Sequence, residues 1–355
     1  MLGFSIYLDT DVSDQTENYL AKMAENGFEG VFTSVHIPEE DAKNYVKRLK
    51  KLGRMCAAHH LSLTVDTDLK ALENLHISIE NIANLQTFGI SALRLDDGFT
   101  NQQIARLSQH LNVALNASTI SEKDVQELHA NHANFECIEA WHNFYPRPET
   151  GLDEDWFKAR NKWLHQQHFQ VMAFVPGDDR RRGPLYEGLP TLESHRYSNP
   201  LVAAVELTEK MLVDKVFIGD PQLSMSLAKS FGDFYQRSLV KVHVKTEFQP
   251  LWGRIWHNRP EVARDVIRLV ESRQQNELLH QKVAPANQGQ RKPGTVTIDN
   301  DLYGRYQGEI QICKVNLPVN NRVNVLGQID QVDIPLLALV RENTGIEFLY
   351  EEEKS

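Results

Sequence analysis

A chain of 355 residues is long for a single hydrophobic core, so two domains are expected. Hydrophobic content of 41% and charged content of 24% fit an ordinary soluble globular protein. A formal charge of −10 leaves no domain-wide basic field to neutralise phosphates, which argues against a nucleic-acid partner but allows a local basic pocket.

In chain order, short apolar runs alternate with helical patterns. A strand at 4–8 precedes a helix at 15–25 closed by Gly27, and a strand at 30–37 precedes a helix at 39–52 closed by Gly53. Further strands are expected at 61–66, 92–96, 113–118, 135–141, 170–176 and 213–219, with a helix at 121–131 opened by a capping box of Ser121 and Asp124. Eight strands, each separated by enough chain for a right-handed crossover, match the size of a (β/α)₈ TIM barrel over 1–235. A doubly wound open sheet is the alternative, and no Gly-x-Gly-x-x-Gly turn after the first strand supports it.

Side chains at i, i+2 and i+4 of a strand share a face. This groups Ser5, Tyr7 and Asp9; Ser34 and His36; Ser62, Thr64 and Asp66; Arg94 and Asp96; and Asn116 with Ser118. The opposite faces are mostly aliphatic and suit packing under helices. The polar faces should therefore line the lumen, with His36, Asp66, Asp96 and Asn116 near its C-terminal mouth, where barrel enzymes carry their chemistry. Arg94 with Asp66 or Asp96 also reads as a buried ion pair that fixes the barrel.

The sixth strand runs into His142-Asn143-Phe144-Tyr145-Pro146-Arg147-Pro148-Glu149-Thr150-Gly151. Two prolines bracketing an arginine remove backbone freedom and two amide donors, so the segment belongs to neither helix nor sheet. Rigid polar loops on a scaffold are where chemistry is held. After the seventh strand, residues 177–196 carry four arginines, Arg180, Arg181, Arg182 and Arg196, with Asp178, Glu187 and His195 among glycines and prolines. The loops after strands seven and eight of a barrel often bind phosphate, which arginine matches bidentately.

Beyond Asp220 the pattern changes to strands at 240–246, 295–299, 306–315, 322–328 and 347–350, with a helix at 260–273 begun by Pro260. A second, mostly β domain over 236–355 is expected, with Trp252 and Trp256 in its core.

Three distant cysteines, Cys56, Cys137 and Cys313, imply no disulfide frame; the opening residues lead directly into a strand, so no secretory leader is expected, and no apolar run reaches membrane length. A cytoplasmic protein is expected. There is no Cys-x-x-Cys, His-Glu-x-x-His, Gly-x-Ser-x-Gly or P-loop pattern, so no metal or cofactor is expected. What remains is carboxylates at strand ends, namely Asp9, Asp66, Asp96, Asp178 and Asp220, with Glu149 in the loop. They suit glycoside hydrolysis, and also other sugar chemistry.

Five segments carry a resemblance. They are Thr33-Ser34-Val35-His36-Ile37-Pro38-Glu39, Leu93-Arg94-Leu95-Asp96-Asp97-Gly98-Phe99, Asn116-Ala117-Ser118-Thr119, the loop from His142 to Asp153, and Arg182-Gly183-Pro184-Leu185 with Glu187 to Glu193. Together they resemble bacterial 6-phospho-N-acetylmuramidases, over essentially the whole chain. Trp141 departs from the pattern, where a smaller residue is expected. The resemblance implies a TIM barrel followed by a cyclophilin-like β domain, and release of terminal N-acetylmuramic acid 6-phosphate from cell-wall fragments during peptidoglycan recycling. It implies no cofactor, a phosphorylated amino-sugar ligand, and neither nucleic acid nor membrane as partner; self-association stays open. Glu149 is then the expected general acid and Asp96 the nucleophile or stabiliser, with Asp178 in reserve. Arg147, Arg182, His195 and Arg196 are expected to meet the phosphate and the lactyl carboxylate. His36, Asp66, Arg94, Asn116, His142, Asn143, Glu187 and Asp220 complete the expected substrate contacts. The alternatives are another phosphosugar enzyme on the same barrel, an epimerase or an aldolase, or a non-catalytic sugar-phosphate sensor. A Schiff-base aldolase would need a lumen lysine, and only Lys215 qualifies.

Overall fold

The computed structural model describes residues 1–35, 42–74, 85, 87–274 and 282–350. The chain divides into two compact units, Met1–Lys229 and Ser230–Ser355.

Unit one is a closed barrel of eight parallel strands in sequence order: β1 (Leu2–Ser5), β2 (Gly30–Ser34), β3 (Ser62–Thr67), β4 (Ala92–Leu95), β5 (Asn112–Asn116), β6 (Ile138–Trp141), β7 (Gln170–Val175) and β8 (Lys215–Ile218). Closure is made by β1 pairing in parallel with β8, Phe4 opposite Ile218. Around it run α1 (Asp14–Glu25), α2 (Ala42–Ala58), α3 (Leu69–Asn74), α4 (Asn101–Ser108), α5 (Glu122–Ala130), α6 (Glu154–Gln166), α7 (Pro200–Lys210) and α8 (Met225–Arg237). The boundary between units falls inside α8. The expected capping box opens α5, with Ser121 N donating to Asp124 at 2.9 Å and Asp124 N to Ser121 Oγ at 3.3 Å.

Gly53 does not close α2; the helix runs five residues further, to Ala58. A side chain at Gly53 would put Cβ 1.8 Å from the Phe88 carbonyl oxygen. The glycine serves close backbone approach rather than termination, a use that its position in sequence does not reveal.

The lumen carries polar side chains on β2 to β4 and a second polar pair, Glu139 on β6 with Lys215 on β8 at 2.6 Å. Ser34, Asp66 and Arg94 occupy the side of β2 to β4, whereas Phe32, Trp141, Met172, Phe174 and Phe217 form one buried cluster with Tyr7. Trp141 lies 5.0 Å from Phe217 and 6.0 Å from Phe32, ring centre to ring centre. Gly3 and Gly30 leave the space that the Phe217 ring occupies, since a Cβ on either would come within 2.7 Å of it. The tryptophan thus fills the barrel interior, where an aromatic layer replaces the usual aliphatic one.

Unit two is a seven-stranded sheet of β9 (Leu239–Thr246), β10 (Ile255–His257), β11 (Val266–Arg268), β12 (Thr295–Asp299), β13 (Ile310–Cys313), β14 (Val323–Ile329) and β15 (Gly345–Tyr350). The order is β10-β15-β9-β14-β12-β13-β11, with β9 and β15 parallel and every other pairing antiparallel. The helix expected at 260–273 is absent: its centre is β11, paired with β13, and only Glu271–Gln274 is helical. Ile267 and Leu269 are buried while Val266 and Arg268 are half-exposed, so a period of two wins over the helical spacing once a partner strand is available. Trp256 is fully buried and donates Nε1–H to Leu251 O, whereas Trp252 stacks on Tyr350. Among the described residues no helix is long and apolar enough to cross a membrane.

Candidate active site

Parallel strands bring all eight C-terminal ends to one mouth, and the loops that follow them carry the expected site residues. Asp66 on β3 and Arg94 on β4 are both buried and ion-paired, Nη1 to Oδ1 at 2.5 Å. Asp66 Oδ2 also accepts from Ser34 Oγ at 3.0 Å. The other arm of Arg94 donates to Asn143 Oδ1, just past β6. One guanidinium therefore ties β3, β4 and the root of the 142–151 loop together, and Asp66, Arg94 and Asn143 form one network. Asp96 continues the Arg94 face at the rim, where it is exposed.

The loop after β6 is seated on the loop after β7. Thr191 Oγ1 donates to Asn143 O at 2.9 Å, and Tyr145 N donates to Pro190 O at 2.9 Å. Glu149 is exposed with φ +71, and its amide donates to Glu193 Oε1 at 2.9 Å. Glu193 is held in turn by the buried Arg196, whose bonds draw its carboxyl down from 4.5 to about 2. Arg196 is thus committed to Glu193 and to the carbonyls of Arg147, Glu187 and Gly188. Expected as a phosphate contact, it is an internal strut, because its donors are already used. Glu187 accepts from Tyr197 Oη at 3.2 Å.

Asp220, fully buried after β8, accepts from the amides of Gly177, Arg182 and Leu189 at 2.9, 3.0 and 3.1 Å. It shapes the arginine-rich loop from within, through those three bonds. Arg182 is half-buried with its guanidinium 3.7 Å over the ring of Tyr7. Tyr7 donates to Gly219 O at 2.6 Å, and burial pushes its hydroxyl up to about 12. Arg147 is exposed on the loop after β6.

Other expected contacts stand elsewhere. Asp178 bonds Ser224 N and Oγ at 2.8 and 2.6 Å, one residue before α8, so its two oxygens brace a helix start. Asn116 turns the chain after β5 by accepting from Ser118 N at 3.0 Å. Against the expectation that they touch substrate, His142 and His195 both bond the helix layer: His142 Nε2 meets Asn161 Oδ1 of α6 at 2.7 Å, and His195 Nε2 meets Glu206 of α7 at 3.3 Å. The reason for His142 is parity, since Trp141 takes the lumen side and the next residue points outward. His36 lies outside the described residues. Reading the sequence passed over Glu193 as a site organiser; its i, i+3 spacing to Arg196 was the available signal. Among the described residues, no three His, Cys, Asp or Glu side chains are grouped to hold a metal.

Burial pushes the His142 imidazole down from 6.5 to about 4. The unfolded chain takes up this proton below about 6.5, while the native state resists until about 4. Stability should therefore fall as pH drops across that window and change no further from this group below it. Urea midpoints at several pH values for the native protein and for His142→Gln test this; an unchanged slope in the variant would overturn it.

A sequence model described as 6-phospho-N-acetylmuramidase, N-terminal, matches residues 2–233, and one described as 6-phospho-N-acetylmuramidase, C-terminal, matches 239–349. Among solved structures, a conserved protein of unknown function from a locus in Enterococcus faecalis is 38% identical, with a TM-score of 0.91 over 99% of this chain and 97% of that one. An uncharacterized B. cereus protein is 23% identical with a TM-score of 0.73 over 98% and 99%, a likeness of fold alone. No curated protein matches. With both units matched and a relative this similar over nearly its full length, the chain belongs to the 6-phospho-N-acetylmuramidase family, a family of glycosidases.

Proposed function

We propose that the protein hydrolyses the bond linking a terminal N-acetylmuramic acid 6-phosphate to the next sugar of cell-wall disaccharides or longer fragments, in cytoplasmic peptidoglycan recycling. The observation that carries this reading is which charged groups the barrel mouth leaves unused. Among the described residues, the side chains of Asp96, Glu149 and Arg147 make no hydrogen bond or ion pair, and the Arg182 guanidinium, stacked on Tyr7, pairs with no carboxylate. Asp66, Asp178, Asp220 and Glu193 are all engaged in holding structure.

Glu149 then acts as general acid, protonating the glycosidic oxygen as the anomeric C–O bond breaks. Asp96 stabilises the positive charge that develops on the sugar ring, or attacks the anomeric carbon. If the substrate's own N-acetyl oxygen attacks instead, Asp96 orients that group. Arg147 and Arg182 meet the 6-phosphate and the lactyl carboxylate, two anions that need more than one cation. Asp9, exposed after β1 and without a side-chain partner among the described residues, is the comparator for Asp96.

The test is incubation with 6-phosphorylated and unphosphorylated muramoyl disaccharides, followed by mass spectrometry. Release of muramic acid 6-phosphate from the first alone is the expected result. Cleavage of only the unphosphorylated sugar would sink the phosphate assignment, and binding without release would sink the catalytic one.

A further inference from the structure

Glu149 stands in a backbone state that a non-glycine residue adopts at a cost, φ +71, in a loop already stiffened by Pro146 and Pro148. Such a state persists only where the surroundings over-determine it. Here they do so through one carboxylate. Glu193 Oε1 accepts the Glu149 amide at 2.9 Å and Oε2 accepts the Gly151 amide at 2.7 Å, so the two prongs bracket Thr150. Behind it, Arg196 Nε and Nη2 grip Oε1 and Oε2, both at 2.6 Å, from a fully buried side chain. The same guanidinium reaches Arg147 O at 3.2 Å on the loop it steadies and Gly188 O at 3.3 Å on its own loop. Leu152 N donates to Thr191 O, and Glu193 N to Leu152 O, which continues the seam past the carboxylate.

We propose that Glu193, gripped by Arg196, is a positioning residue for the reaction: it fixes the 149–151 backbone so that the Glu149 carboxyl is aimed at the glycosidic oxygen. The proposal rests on Glu149 being the general acid. Proton transfer needs the donor within hydrogen-bond reach of its target, and among the described residues the Glu149 side chain has no partner to hold it there. The backbone must supply the aim. A carboxylate that stays ionised at any working pH is suited to this, since both amides need an acceptor with no proton of its own.

A merely structural clamp would slow every substrate alike. A clamp that aims the acid matters only where the leaving group needs a proton. The experiment therefore compares the 6-phosphorylated muramoyl disaccharide, whose sugar alkoxide must be protonated, with a nitrophenyl 6-phosphomuramoside, whose phenolate departs without help. Glu149→Gln, Glu193→Gln and Gly151→Ala are measured on both, with circular dichroism to establish folding. Gly151→Ala keeps every charge, yet its Cβ would come within 2.6 Å of Glu193 N and Oε2, so the seat is disturbed even if loss of Glu193 charge unfolds the barrel. The expected result is a fall in kcat/KM of roughly 10- to 100-fold on the disaccharide, with little change in kcat/KM on the nitrophenyl substrate, for both Glu193→Gln and Gly151→Ala. Equal losses on the two substrates, or none on either, would overturn the positioning role. If Glu149→Gln itself shows no dependence on the leaving group, the general-acid assignment falls and takes the proposal with it. If Glu149→Gln shows that dependence and the clamp variants do not, only the clamp proposal falls.

Discussion

Glu149→Gln should lower kcat on a 6-phosphorylated muramoyl disaccharide by roughly 100- to 10,000-fold, the range a positioned general acid contributes. The argument starts from what the side chain does not do. It is exposed, and among the described residues it has no partner, so replacing its carboxyl by an amide breaks no native contact. The backbone bond to Glu193 comes from the amide nitrogen and survives the substitution. Stability should hence stay within about 0.5 kcal/mol of the native protein, as for surface changes away from special features. Loss of turnover without loss of fold is the signature sought, read by steady-state kinetics beside a thermal melt. A variant that keeps near-native kcat removes Glu149 from the role.

The second large effect concerns stability. Asp66→Asn should destabilise the barrel by about 3–5 kcal/mol, because it leaves the Arg94 guanidinium buried without its counter-charge. Both side chains are more than nine-tenths buried, so water cannot take the place of the lost partner. Arg94 also anchors Asn143, and the loop carrying Glu149 should loosen as the pair is lost. Replacing both residues together by apolar side chains of similar volume should cost less than the single change, since no orphaned charge remains. Urea denaturation of the single and double variants decides the matter. A single variant within about 1 kcal/mol of the native protein would mean that the charge finds another partner, and the pair would no longer be the tie between β3, β4 and the loop.

Much of the architecture is legible in the sequence. Alternating apolar runs and helical patterns specify eight strands joined by seven crossovers, and strand parity puts Ser5, Tyr7, Asp66 and Arg94 on a common face. Less legible was the second unit, where 260–273 carries a helix start signal but pairs as a strand. Local propensity is a weak prior against a row of unpaired backbone donors in a neighbouring strand.

For the site, sequence alone determined which residue types reach the mouth, because the parallel order carries every strand end and its loop to the same side. It also marked the loop at 142–151 as rigid, through Pro146 and Pro148. Only the tertiary structure decided which of those charges are spent. Arg196 and Glu193, Asp220 and the loop amides, and Asp178 and Ser224 find each other across 3 to 46 residues of chain. Nothing in a linear pattern tells a paired guanidinium from a free one. Burial makes the difference, since a charge removed from water must find a partner, and a charge left at the rim keeps its capacity for a ligand.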